Sequence, residues 1–256
     1  MKITFLGTGT SIGVPVIGCT CEVCKSQDSR DIRLRASILW EVEGRRFLID
    51  AGPDFRQQML LSGCTQFNAI LITHEHYDHV GGLDDVRGIN LSTKRDVKIY
   101  AEQRPADAIR RSLHYVFAAE KYPGVPDMTL NVIGLDPINI DGIEVKPIRA
   151  IHCKLPIVGY RIGNWAYITD ASYIPEESLK ELKGLDVLVI NALRWKNHIS
   201  HFTVEDALEV VKKLQPRRVY FTHVCHEIGL YEKVEKLLPQ GVYLAYDGLT
   251  IEDTDE

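Results

Sequence analysis

Asn68-Ala-Ile-Leu-Ile-Thr73, running straight into His74-Glu-His76-Tyr-Asp78-His79, is the stretch whose reading decides the fold. Its first half has the apolar, β-branched character of a short buried strand, and its second half sets four side chains with metal-ligand chemistry in one turn of chain. In an extended segment alternate side chains share a face, so His74 and His76 reach one ion together. Asp78 and His79 follow where the chain turns toward a helix at Val80-Gly81-Gly82-Leu83, and that change of direction lets them face a second ion. The spacing therefore predicts a two-metal site at a strand end.

The rest of the sequence bounds what such a site serves. A chain of 256 residues can bury a full core, and with 45% hydrophobic and 25% charged residues it reads as one globular domain, 1–256, without disordered tracts. The net charge of -5 and the acidic tail Glu252-Asp-Thr-Asp-Glu256 leave no dominant basic surface, so nucleic acid is not expected as a partner. Met1-Lys-Ile-Thr-Phe-Leu6 is too short an apolar start for a signal core or a membrane span, and a cytoplasmic location is expected.

Strand-like runs occur at 2–6, 36–42, 45–49, 69–72, 97–101 and 143–148, then at 158–162, 166–168, 187–190, 218–221 and 242–245. Helical periodicity falls between them at 54–61, 104–116, 176–182, 203–214 and 227–238. Thr203-Val-Glu-Asp206 reads as a capping box, and Pro175 suits a first helical turn. Lys121 to Pro137, with three prolines and two glycines, reads as a long loop bordering a cleft. Many strands with helices in both halves predict an α/β protein of two sheets packed face to face and covered outside by helices.

Three more candidate ligands stand where apolar runs end: His152 after Val145-Lys-Pro-Ile148, Asp170 after Ala166-Tyr-Ile-Thr169, and His223 after Val219-Tyr-Phe-Thr222. Singly each is weak, since a histidine after a strand is commonly a hydrogen-bonded structural residue. With the opening motif they make enough ligands for two ions with open positions. At this point the chain resembles the metallo-β-lactamase superfamily of metal hydrolases, whose pattern is His-x-His-x-Asp-His followed by a distant His, Asp and His. Leu48-Ile-Asp50-Ala-Gly52 also matches its early Asp turn. The resemblance implies a four-layer αββα sandwich in which His74, His76 and His152 bind one metal, Asp78, His79 and His223 bind the other, and Asp170 bridges. Asp78 is expected to act in catalysis as well as in binding. The ligand types admit zinc, manganese or iron. Asp50 suits a role in orienting a ligand histidine.

Cys19-Thr-Cys21-Glu-Val-Cys24 offers three thiolates at about residues 18–26, and a tetrahedral structural zinc needs one more ligand. His226, three residues after His223, is the preferred fourth, with Cys225 as the alternative. Within the superfamily, a Cys-x-Cys-x-x-Cys loop after Leu6-Gly-Thr-Gly9, paired with His223-x-x-His226, resembles the phosphoribosyl cyclic phosphodiesterases of phosphonate degradation. That resemblance implies a structural zinc on Cys19, Cys21, Cys24 and His226, and manganese or a similar ion in the dinuclear site. It also implies a general-acid role for His201 in Ser200-His201-Phe-Thr203; the plain alternative is a residue capping the following helix. His114 and His198 lack such context and read as structural or exposed, while Ser200, Arg194 and Tyr77 are candidates to touch phosphate.

The expected activity is hydrolysis of a small, cyclic phosphodiester by a metal-bound hydroxide. The alternatives are a tRNA-trailer-cleaving endonuclease and a metal-binding accessory protein without turnover. A small-molecule substrate and no membrane complete the expectation, with a homodimer admitted as the assembly.

Overall fold

The computed structural model describes residues 1–253, and the last three residues of the acidic tail lie outside the described residues. The first sheet is built from β1 (Lys2–Gly7), β2 (Ser37–Val42), β3 (Arg45–Ile49), β4 (Ala69–Leu71), β5 (Val97–Ala101) and β6 (Met128–Val132). The second takes β7 (Ile138–Ile140), β8 (Ile143–His152), β9 (Leu155–Ile162), β10 (Trp165–Ile168), β11 (Val187–Asn191), β12 (Arg218–Thr222) and β13 (Val242–Leu244), after which β14 (Thr250–Glu252) returns to the edge of the first beside β1. Each sheet has seven strands, and each is part antiparallel, part parallel: β3 to β6 run parallel in one, β10 to β13 in the other.

The alternation of side chains along the strands sets the layers. On β2 and β3, Ile38, Trp40, Phe47 and Ile49 point between the sheets and meet Val145, Tyr160, Trp165 and Val189 of the second sheet. Leu39 and Leu48 point the other way, under α1 (Phe55–Ser62), α3 (Val86–Thr93) and α4 (Gln103–Ser112); the four-residue α2 (Tyr77–Val80) falls between α1 and α3 in the chain. The outer face of the second sheet packs on α5 (Glu176–Glu181), α6 (Val204–Leu214) and α7 (Tyr231–Glu235). This period-two sorting of apolar residues to two dry faces yields the αββα sandwich.

All eleven expected strands form. Three more strands, β6, β7 and β14, and helix α3 were not read from the sequence. The stretch 121–137 is not one long loop: Met128–Val132 is an edge strand parallel to β5, because Met128 and Leu130 pack under the outer helices despite the flanking prolines. The helix expected over 227–238 is broken in two. Gly229 sits at φ 108, which no helix accommodates, so a 3-10 turn at His226–Ile228 precedes α7. Pro175 is the N-cap of α5 rather than its first helical residue. Thr203 does form a reciprocal capping box with Asp206, which leaves His201 free of any capping role. Among the described residues no helix is long and apolar enough to cross a membrane.

Candidate metal centre

Parallel strands end together, and the chain leaves them at one edge of the sandwich: Asp50 follows β3, His74 follows β4, Asp170 follows β10 and His223 follows β12. His152 closes β8 at the same edge, whose two sheets are tied by the Tyr160 hydroxyl donating to the Ile72 carbonyl at 2.6 Å. Asp50, Asp170 and His223 all adopt left-handed backbone, with φ of 61°, 60° and 53°. Non-glycine residues hold that conformation only when their surroundings enforce it, and such strain collects at functional sites.

The seven expected ligands converge. His74, His76 and His152 form one group whose donor atoms lie within 4.8 Å of one another, and Asp78, His79, Asp170 and His223 form a second. Asp170 lies between the rings of the second group, with one carboxylate oxygen 3.2 Å from His79 Nε2 and the other 3.0 Å from His223 Nε2. Asp78 Oδ2 is 3.1 Å from His79 Nε2 and 3.5 Å from His223 Nε2.

The surrounding hydrogen bonds fix which ring nitrogen each histidine offers. Asp50, fully buried, accepts from the Thr73 amide and hydroxyl, both at 2.8 Å, and from His79 Nδ1 at 2.6 Å. With the Thr73 proton committed to Asp50, its hydroxyl oxygen can only accept from His74 Nδ1 at 3.0 Å. His152 Nδ1 donates to the Ser200 carbonyl at 2.7 Å. In all three rings Nδ1 is thus the engaged nitrogen and Nε2 the one that faces the cluster, the arrangement that a metal-binding imidazole requires.

Several of these atoms are orphans otherwise. His79 Nε2 and His223 Nε2 are buried without a hydrogen-bond partner despite carboxylate oxygens close by, and His74 Nε2 lies 3.0 Å from His76 Nδ1. Buried donor atoms crowded so closely, those of His79 and His223 without a hydrogen-bond partner, fit ligands that face common points held by cations. The electrostatics agree. Burial works against its charge, but Asp170 and Asp78 lift the His223 imidazole to about 9. Burial likewise opposes ionised Asp170, yet His223 and His79 hold its carboxyl well below the usual range.

Close backbone packing locks the Asp50 turn against α2. A Cβ on Gly52 would lie 2.0 Å from the Asp78 carbonyl oxygen, and the Ala51 amide donates to the His79 carbonyl at 2.8 Å. Gly52→Ala must push α2 away, so it is expected to cost at least about 1–3 kcal/mol of stability and to lower metal content selectively in the Asp78 and His79 half. Thermal denaturation and elemental analysis check both; two full equivalents of bound metal would contradict it.

His201 stands at the open side of the cluster. Its ring stacks on His223 at 4.9 Å, lies 4.6 Å from His152, and carries a buried, unpartnered Nδ1 3.8 Å from Asp170 Oδ1. Burial, and then the charge of His223, hold it down to about 3, so the ring is neutral in the free site. A docked anionic phosphoryl group would oppose that depression. His198, read from sequence as structural or exposed, sits in the rim instead: its ring is 5.2 Å from His201, and its Nδ1 is 3.2 Å from the Ser200 hydroxyl. His114 is exposed, as expected. Arg194 is occupied by Glu227 and by two backbone carbonyls, so it is not a free phosphate contact. Tyr77, within the motif, is exposed. Asn191 was missed: its side-chain amide accepts from the Ala171 amide and donates to the Ala171 carbonyl, at 2.8 and 2.9 Å, and so clamps the turn after Asp170. A buried polar residue ending the apolar run 187–190 was the available signal.

The cysteine loop closes on His226. Its Nδ1 lies 3.4, 3.3 and 3.5 Å from the sulfurs of Cys19, Cys21 and Cys24. One ring nitrogen cannot donate one proton to three sulfurs, whereas bonds of about 2.3 Å to sulfur and 2.0 Å to nitrogen across a tetrahedral zinc would separate them by roughly 3.5 Å. The Cys24 amide, then His226, pull the Cys21 thiol down to about 6, a thiolate at neutral pH. Cys225 stands outside this group; its amide donates to Leu193 instead. Cys21→Ser is expected to lower the melting temperature by on the order of 10 °C. Calorimetry with zinc analysis checks this, and an unchanged transition would show that the loop needs no metal.

The description "Beta-lactamase superfamily domain" matches residues 45–224, and the chain belongs to that superfamily of metal hydrolases. Within it, a solved structure described as a new diphosphatase from the PhnP family is similar at 38% identity and a TM-score of 0.91, covering 99% of this chain and 98% of the other. An octanoyltransferase of Porphyromonas gingivalis is 43% identical over 97% of this chain but 51% of its own length, so the chain spans about half of that relative. The zinc-bound PqqB of Methylobacterium extorquens, at 20% identity and a TM-score of 0.79 over 98% of this chain and 100% of the other, shares the fold.

Proposed function

We propose that the protein is a dinuclear metal phosphodiesterase acting on a small, cyclic phosphodiester. The observation that carries the reading is the convergence of seven expected ligand side chains with an eighth group, the His201 imidazole, on their open side, its donor atom within 4.8 Å of those of His152 and Asp170. His74, His76 and His152 would hold one cation, Asp78, His79 and His223 the other, and Asp170 both, with manganese or zinc favoured and iron admitted by the donor set. When bound, the two cations supply Lewis acidity toward phosphoryl oxygens and lower the pKa of water toward about 7. A structural zinc would sit on Cys19, Cys21, Cys24 and His226.

The chain's own residues do the rest. Asp50, Thr73 and Ser200 keep the ligand rings in one tautomer, so no reorganisation accompanies substrate binding. His201 serves as general acid once the bound phosphoryl anion favours its imidazolium: water forms a bond to phosphorus and gives up a proton to solvent, the bond from phosphorus to the leaving oxygen breaks with its electron pair on that oxygen, and that oxygen takes the imidazolium proton. The negative net charge supports a small-molecule substrate over a nucleic acid. A second reading, cleavage of a diphosphate, is favoured by the 38% identical PhnP-family diphosphatase.

The metal-loaded protein should be offered a cyclic nucleotide, a linear aryl phosphodiester, a dinucleoside diphosphate and precursor tRNA. Fastest turnover of the cyclic diester is expected. Preferred release at the diphosphate linkage would establish the second reading, preferred tRNA cleavage would make the protein an endonuclease, and no turnover of any would leave an accessory metal protein.

A further inference from the structure

His223 and His226, three residues apart, bring the catalytic cluster and the Cys-His cluster within one short segment. The segment does more than join them. Its 3-10 turn, His226–Ile228, is bound to the stretch Arg194–Ser200 that connects β11 to α6. The Trp195 indole donates to the Ile228 carbonyl at 2.9 Å, the Cys225 amide donates to the Leu193 carbonyl at 3.0 Å, and the Arg194 guanidinium pairs with the Glu227 carboxylate. Arg194 also donates through Nε to the Lys196 carbonyl at 3.2 Å and through Nη2 to the Asn197 carbonyl at 3.1 Å, so the stretch curls around its guanidinium. At its far end lie the two groups that matter to the site: the Ser200 carbonyl that orients His152, and His201.

The base of the stretch is tied as well, with the Leu193 amide donating to the Phe202 carbonyl at 2.9 Å, the Val204 amide to the Arg194 carbonyl at 3.0 Å and the Phe202 amide to the Ala171 carbonyl at 2.7 Å, but its tip is open to solvent. Lys196, Asn197 and Ile199 are exposed, and Ile199 is 82% accessible. A segment with few buried contacts opens readily unless something pins it, and an acid displaced by about 1 Å loses much of its effect. We propose that Glu227, Arg194 and Trp195 are positioning residues that transmit the rigidity of the Cys19, Cys21, Cys24 and His226 site to His201. The cysteine loop then serves the chemistry from a distance: it fixes His226, the adjacent Glu227 holds Arg194, and Arg194 holds the curl that presents the acid. This inference deepens the phosphodiesterase reading and rests on it for its kinetic part.

Glu227 is partly exposed and ligates nothing, so Glu227→Ala should fold and keep its metals. Hydrogen exchange of the metal-loaded protein reads the anchor without any substrate. Amides of residues 193–201 are expected to exchange about tenfold faster in Glu227→Ala and in Cys21→Ser, while those of β2 and β3 stay unchanged. In Glu227→Ala, kcat for a diester with an alkyl leaving group, which needs the acid, should fall about tenfold. The rate for a p-nitrophenyl diester, which does not need it, should stay within about twofold. Glu227→Gln, which keeps one hydrogen-bonding oxygen, should recover part of the alkyl rate. Unchanged exchange over 193–201 overturns the proposal, as does an equal fall in both rates. If the wild-type protein hydrolyses neither diester, the phosphodiesterase reading fails, and the exchange result alone still decides the anchor.

Discussion

Asp170→Asn is expected to lower kcat/KM for any phosphoester substrate by about a thousandfold or more and to reduce bound metal from two equivalents toward one. The reason lies in the geometry of a single carboxylate. Its two oxygens stand 3.2 Å from His79 Nε2 and 3.0 Å from His223 Nε2, and the side chain is 2% exposed. An amide of the same shape replaces one of these oxygens by an NH2 group, which cannot accept or ligate and which carries no charge. The buried cationic side then loses its counter-charge where solvent cannot replace it. Elemental analysis and steady-state kinetics on the purified variant check both parts. Full activity with two metals bound would rule out a bridging role for Asp170.

His201→Ala is expected to separate two classes of substrate. For a diester with an alkyl leaving group, kcat should fall on the order of 10²- to 10⁴-fold, because the departing alkoxide no longer receives a proton. An aryl diester, whose leaving group is a stable anion, should lose far less. Metal content should stay at the wild-type level, since the seven expected ligands are untouched; a loss of metal would make His201, whose donor atom lies within 4.8 Å of those of His152 and Asp170, a ligand instead. The measurement is the dependence of rate on leaving-group pKa, which should steepen in the variant. An equal loss for both substrates, with metal retained, would assign His201 to binding rather than to proton transfer.

Much of the site was legible because its ligands are marked by where strands end. His74, His76, Asp78 and His79 crowd one turn, and His152, Asp170 and His223 each follow an apolar run, so the same buried-strand signal that locates the sheet also locates the ligand. The Thr203 capping box was legible for a similar reason, being a local bond between residues three apart. The edge strand at Met128–Val132 was hidden by its prolines and by its dependence on β5, a partner far away in sequence. The break at Gly229 was overridden by a helical apolar pattern that continues on either side.

His198 and Asn191 show the limit more sharply. Nothing in Trp195-Lys-Asn-His198 distinguishes an imidazole on the surface from one 5.2 Å from a candidate acid, because the difference depends on how Arg194 and Glu227 curl the stretch.

The sequence by itself determined the superfamily, which side chains converge at one edge and the layered architecture, since residue type, period-two burial and close spacing of histidines and aspartates are local quantities. Only the tertiary structure decided that His226 rather than Cys225 completes the cysteine group, which nitrogen His74, His79 and His152 offer, and that the two clusters share one brace. Those depend on angles and distances between segments up to two hundred residues apart, such as Cys24 and His226 at 3.5 Å, and side-chain directions there are fixed by packing rather than by sequence neighbours.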